Sequence, residues 1–117
     1  MTDYSKMSDF EINKAVALAT GHNKLSSLGW QGSQGKDCSS VIVRGPQVIG
    51  AFNPCNNPAD AWNIILANKI NIRFGAEGFR HEAQFIQYGR ESVEAYHENP
   101  LRAAMIVFLM MKEAGNV

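Results

Sequence analysis

The amino-acid sequence predicts an α+β fold in one domain, with three helices at about residues 9–20, 58–68 and 100–113 packed on a small, mainly antiparallel sheet of three to five strands. Three observations predict it. Asn57-Pro58 and Asn99-Pro100 each open an apolar segment with a capping residue followed by Pro at the first helical position, where the missing N–H costs nothing and the fixed φ suits a helix. Ser8 and Glu11 have the spacing of a capping box. Between the helices lie short runs that are β-branched or alternate apolar with polar, the signature of strands.

In the first helix, Ser8 is the cap, with Met7 and Ile12 placed to form a hydrophobic staple across it. Ile12, Ala15, Val16 and Ala19 make one apolar stripe, and Gly21 is the expected stop. Residues 21–39 read as loop, with Gly29-Trp30-Gln31-Gly32-Ser33-Gln34-Gly35 as its glycine-rich centre. Val41-Ile42-Val43 and Val48-Ile49-Gly50-Ala51-Phe52 flank Arg44-Gly45-Pro46-Gln47, which predicts a hairpin. Residues 53–58 form a rigid Asn-Pro turn into the second helix, whose predicted buried face holds Ala61, Trp62, Ile65 and Leu66, with Asn68 as a left-handed stop.

After that helix the period changes to two. Ile70, Ile72 and Phe74 alternate with Asn71 and Arg73, as in a half-buried strand. Gly75-Ala76-Glu77-Gly78 reads as a turn, Glu82 to Tyr88 as the returning strand, and Ser92 to His97 as a further edge strand in preference to a short helix. In the last helix Leu101, Ala104, Met105, Phe108 and Met111 line one face while Ala103, Ile106, Val107 and Met110 cover much of the other. A helix apolar nearly all round is buried on more than one side, either between layers of its own domain or in a subunit interface.

A chain of 117 residues can bury a core without metal or disulfide staples. With 45% apolar and 19% charged residues it has a globular balance, and its 11 basic and 11 acidic residues cancel. No basic patch is visible that would release phosphate counterions or face anionic lipid, so neither nucleic acid nor membrane is an expected partner. The nine-residue apolar run from Ala103 to Met111 is shorter than the roughly 20 needed to span a bilayer. The N-terminus lacks the pattern of a signal peptide, and with Cys38 and Cys55 as the two cysteines, the expectation is a reduced, cytoplasmic protein.

Chemical motifs fail on inspection. Gly32-Ser33-Gln34-Gly35-Lys36 has the wrong glycine spacing for a phosphate loop, and Asp37 stands where a hydroxyl should follow the Lys. His22, His81 and His97 are too dispersed for metal ligation, and His81 and Glu82 would point to opposite faces of a strand. Ser39 and Ser40 lack the glycines of a nucleophile elbow, and neither Cys has a nameable activator. No catalytic, cofactor or metal site is therefore predicted. Trp62 and Phe52 are assigned to the core in preference to a ligand pocket, Asp60 to the positive end of its helix, and Asn53, Asn56 and Asn57 to turn and cap. Trp30, Lys24, Lys36 and Arg102 remain as candidates for an interaction surface, with pairing to Glu98 as the default role of Arg102.

Three blocks together resemble the NinX family of small proteins from lambdoid bacteriophages and prophages. They are Asp3-Tyr4-Ser5 with Ser8-Asp9-Phe10-Glu11-Ile12-Asn13-Lys14-Ala15-Val16-Ala17, then Phe52-Asn53-Pro54-Cys55-Asn56-Asn57-Pro58-Ala59-Asp60-Ala61-Trp62, and Asn99-Pro100-Leu101-Arg102-Ala103-Ala104 with the apolar residues that follow. The Asn-rich turn leading into Pro-Ala-Asp-Ala-Trp is the most specific. The resemblance implies a phage or prophage product in the bacterial host and an α-β-α sandwich of helices over an antiparallel sheet, and it carries over no activity or site residue.

The leading expectation is a non-enzymatic accessory protein that binds a host or phage protein, with a homodimer through the C-terminal helix as one form. One alternative is a nucleic-acid module using the Gly29–Gly35 loop with Trp30, Lys24 and Lys36. The other is an enzyme with a site near Cys55 and Trp62.

Overall fold

The computed structural model describes residues 2–20, 30–31, 40–44, 49–87, 89 and 91–115, for 30–31, 42–44 and 49–50 in their backbone. A single 3-10 turn, Tyr4–Lys6, precedes α1 (Asp9–Ala19), β1 (Trp30–Gln31), β2 (Val41–Arg44) and β3 (Ile49–Phe52). Then follow α2 (Pro58–Ala67), β4 (Asn71–Arg73), β5 (His81–Phe85), β6 (Val93–His97) and α3 (Pro100–Glu113). The α+β class, the three helices and the antiparallel strands are those the sequence predicts. The strands are shared between two three-stranded sheets, β1-β2-β3 and β4-β5-β6. Contacts divide the chain into two compact units, Met1–Asn53 and Pro54–Val117.

In the first unit the capping box of α1 is complete: Ser8 N donates to Glu11 Oε1 at 3.0 Å and Glu11 N donates to Ser8 Oγ at 3.1 Å. The exposed Glu11 carboxyl is held below its ordinary pKa, first by the backbone hydrogen bond from Ser8 and then by the Ser8 side chain. The helix closes on Thr20, whose hydroxyl donates to the Val16 carbonyl at 2.9 Å, while the predicted stop Gly21 lies outside the described residues. Its buried face is Ile12, Asn13, Val16 and Ala17, rotated from the predicted stripe, because Ala15 and Ala19 stay partly exposed. Asn13 tolerates full burial by donating from Nδ2 to Asn53 Oδ1 at 2.7 Å.

The predicted hairpin forms, with Val41 opposite Phe52 and Arg44 opposite Ile49, and its turn, residues 45–48, lies outside the described residues. The region read as loop contributes a two-residue strand: Trp30 and Gln31 pair with Ile42 and Val41.

In the second unit α3 packs on β4, β5, β6 and α2. Residues 102–109 and Met111 are buried, so of the two alternatives for this all-round apolar helix, packing between layers of its own chain is what the structure shows. Its neighbours Ala61, Ile64, Ile65, Ile70 and Ala83 are buried too. Burying a residue such as Met105 or Phe108 is worth about 1.5–3 kcal/mol. The sheet is a meander with Ile72 opposite Ala83 and Ala83 opposite Ala95, and β4 and β6 are its edges. The strand reading of 92–97 holds, and the returning strand stops at Phe85, short of the predicted Tyr88, which lies outside the described residues. Among the described residues no helix is long and apolar enough to cross a membrane.

Both Asn-Pro helix starts act as predicted. Asn57 Oδ1 accepts from Ala59 N at 3.0 Å, and Asn99 Oδ1 accepts from Leu101 N at 3.0 Å and Arg102 N at 3.4 Å. Asn99 does more. Its Nδ2 donates to the Cys55 carbonyl at 2.7 Å and to Asn56 Oδ1 at 3.2 Å, tying the start of α3 to the turn that starts α2.

Candidate functional site

The second unit exposes large apolar side chains around α2 and β4. On α2 the buried positions are Ala61, Ile64 and Ile65. At 100° per residue, Trp62 and Leu66 stand one turn apart on the flank of that face. They are 57% and 56% exposed, which corrects the assignment of Trp62 to the core.

The chain leaves α2 through a Schellman turn. Ile70 N donates to the Ile65 carbonyl at 3.1 Å and Lys69 N to the Leu66 carbonyl at 3.3 Å, with Lys69 at φ +54°. The left-handed residue is thus Lys69 and not Asn68, which has φ −104° and instead donates from Nδ2 to the Ile64 carbonyl at 2.8 Å. The turn buries Ile70 and starts β4, along which Ile72 is half-buried. Phe74 falls just beyond the strand and is 70% exposed, with its ring edge-on to His81 at 5.4 Å.

Trp62 and Phe74 share in two grooves of about 490 Å³ each. One is completed by Pro58, Ala59, Ile65, Ile72 and Leu101, the other by Ile65, Leu66, Lys69, Ile70, Asn71 and Ile72. On its other side Phe74 borders a third groove of about 440 Å³, formed with Arg73, Gly75, Ala76, Phe79, Arg80, Glu82 and Tyr96. Here Tyr96 stands opposite Glu82 across the β5–β6 pair. The Glu82 carboxylate beside its hydroxyl pushes the Tyr96 pKa up to about 12, chiefly by hydrogen bonding.

This surface suits apolar contact bordered by charge. Among the described residues no group of three His, Cys, Asp or Glu is placed to hold a metal ion. Cys55 is fully buried and lines none of these three grooves.

Of the candidates drawn from sequence, Arg102 lines none of these three grooves. Trp30 is in β1, paired with Ile42, while Lys24, Lys36 and residues 29 and 32–35 of the glycine-rich loop lie outside the described residues. Arg102 is on α3 and 6% exposed, and it forms no ion pair with the exposed Glu98. Sequence reasoning named Trp62 for a different role and passed over Leu66 and Phe74 as core. The available signal was the width of the apolar face of α2, and a Phe that ends its alternation directly before Gly75.

A family model described as Bacteriophage P22, NinX matches residues 3–112. Neither the curated proteins nor the solved structures contain a match.

Proposed function

We propose that this protein, which belongs to the bacteriophage P22 NinX family, is a non-enzymatic phage accessory protein that acts in the host cytoplasm by binding protein through the α2–β4 face. The observation that carries this reading is the exposure of Trp62, Leu66 and Phe74 around adjoining apolar grooves. Single exposed apolar residues are ordinary on a protein surface, but a contiguous patch of several large ones is characteristic of an interface. Aromatic side chains at the centre of such a patch carry much of the binding energy.

The test is affinity purification from phage-infected cells with wild-type protein and with Trp62→Asp, followed by titration of the recovered protein in pure form. The expected result is a protein partner retained by wild type and lost with Trp62→Asp, whose thermal unfolding stays close to wild type. Recovery of the same partners at the same affinity with both proteins would remove this face from the mechanism.

A further inference from the structure

We infer that the groove beside the β4–β5 turn binds a guanine mononucleotide, with the base against Phe79, Tyr96 and Glu82 and the phosphate on Arg73 and Arg80. Such a site goes beyond the protein-binding reading and does not need the Trp62 grooves to be occupied. α3 packs on the side of the β4-β5-β6 sheet that carries the buried Ala83, so the residues one step along each strand point the other way. On that other side the register sets Arg73 opposite Glu82 and Glu82 opposite Tyr96, one row across three strands. The turn adds Phe79 and Arg80, and all five residues line a single groove of about 440 Å³. Small-molecule pockets run from roughly 300 to 1,000 Å³, so this one suits a single nucleotide better than a chain of them.

Three features of this one groove select the ligand. Phe79 is 73% and Tyr96 50% exposed, and such rings offer flat surfaces on which a planar group stacks. Arg73 and Arg80 are exposed, and among the described residues neither guanidinium makes an ion pair or a hydrogen bond, Arg73 not even with the Glu82 opposite it. Two guanidinium groups left open on one groove match the paired oxygens of a phosphate. The Glu82 carboxylate lies instead beside the Tyr96 hydroxyl, with Glu94 two residues before Tyr96 on the same side of the sheet. That end repels an anion and accepts from N–H donors. A nucleotide carries the complementary groups in this order: phosphate, ring plane, then the donor edge of the base. Of the common bases guanine alone gives a carboxylate two parallel donors, N1–H and the 2-amino group. Adenine and cytosine set an acceptor nitrogen beside their amino group, and uracil flanks its N–H with two carbonyls.

Amide chemical-shift titration of the full chain with GMP, IMP, AMP and guanosine, each to about 2 mM, is the test. It locates the ligand and ranks the affinities without any variant. GMP is expected to bind tightest and to shift residues 73–82 and 94–97. A hydrogen bond to a charged group is worth about tenfold or more in affinity, so IMP, without the 2-amino group, and guanosine, without the phosphate, should each bind at least about 10-fold more weakly. AMP should be weaker still. Glu82→Gln should weaken GMP by about 10-fold and leave AMP unchanged, and Arg80→Ala should weaken GMP but not guanosine. No shifts with GMP, equal binding of GMP and AMP, shifts confined to residues 58–67, or a Glu82→Gln protein that still prefers GMP would each overturn the inference. None of these readouts involves a protein partner, so their failure leaves the role proposed for Trp62 standing, and the failure of that role leaves the nucleotide site standing.

Discussion

Asn99 and Asn57 occupy the same position in the same local motif, yet replacing them should have different consequences. Asn57 is exposed and its side-chain oxygen caps α2 through one hydrogen bond from Ala59 N. Asn99 caps α3 and also donates to the Cys55 carbonyl and Asn56 Oδ1, joining residues 43 and 44 positions apart. Asn57→Ala therefore removes a cap alone, at about 1 kcal/mol. Asn99→Ala removes the cap and leaves the carbonyl of buried Cys55 without this donor, so about 2–3 kcal/mol is expected. Asn99→Asp separates the two roles. It keeps a capping oxygen, with a charge that suits the helix N-terminus, but turns Nδ2 into an oxygen facing two acceptors, for a net cost of about 1–2 kcal/mol.

Urea unfolding of wild type and the three variants, extrapolated to water, measures these differences. The ordering expected is Asn57→Ala mildest or equal to Asn99→Asp, and Asn99→Ala most severe. If Asn99→Ala and Asn57→Ala agreed within about 0.3 kcal/mol, or if Asn99→Asp were neutral, the tie between the two helix starts would contribute nothing and the argument would be wrong.

Three further outcomes follow from single positions. Lys69 carries a side chain at φ +54°, so Lys69→Gly should stabilise the protein by about 0.5–1 kcal/mol in the same assay, and a loss of stability would contradict the Schellman geometry. A Cβ on Gly75 would collide with the Arg80 carbonyl in the β4–β5 turn, so Gly75→Ala should cost about 1–3 kcal/mol, and a neutral result would show that the turn is not so closed. Ultraviolet titration should find Tyr96 ionising near pH 12, above the ordinary value of 10.0, and Glu82→Gln should move it down. Since the folded value is raised, the stability associated with the protonated phenol is fully present below pH 10 and lost as pH climbs from 10 towards 12. An unchanged Tyr96 titration in Glu82→Gln would reassign the cause.

Much of the fold was legible because its signals are local. Ser8 with Glu11, Asn57 with Pro58 and Asn99 with Pro100 bond to backbone within three residues, and all three sites start helices. The β2–β3 hairpin and the meander from β4 to β6 likewise join neighbours in sequence. What sequence could not supply was pairing at a distance. Asn13 is polar on a helix whose apolar stripe runs through Ile12 and Val16, and its burial makes sense only once Asn53, 40 residues away, accepts its hydrogen bond. The same limit applied to Asn99, whose cap was readable and whose bond to Cys55 was not. Nor does periodicity say whether two amphipathic sets of strands share one sheet or form two.

The candidate site was harder to read for a related reason. An apolar stripe on a helix states what prefers to leave water, and it does not state whether the surface that accepts it belongs to the same chain. On α3 that preference is met internally, by α2 and the sheet, and its apolar circumference is consumed in packing. On α2 it is met only through Ala61, Ile64 and Ile65. Trp62 and Leu66 carry the same pattern one step round the helix and remain exposed, and Phe74 continues the alternation of β4 past the point where the strand ends. The helix with more apolar surface in sequence is therefore the one with less to offer a partner. The affinity that Trp62→Asp removes from a complex measures how much of that unmet preference is used in binding.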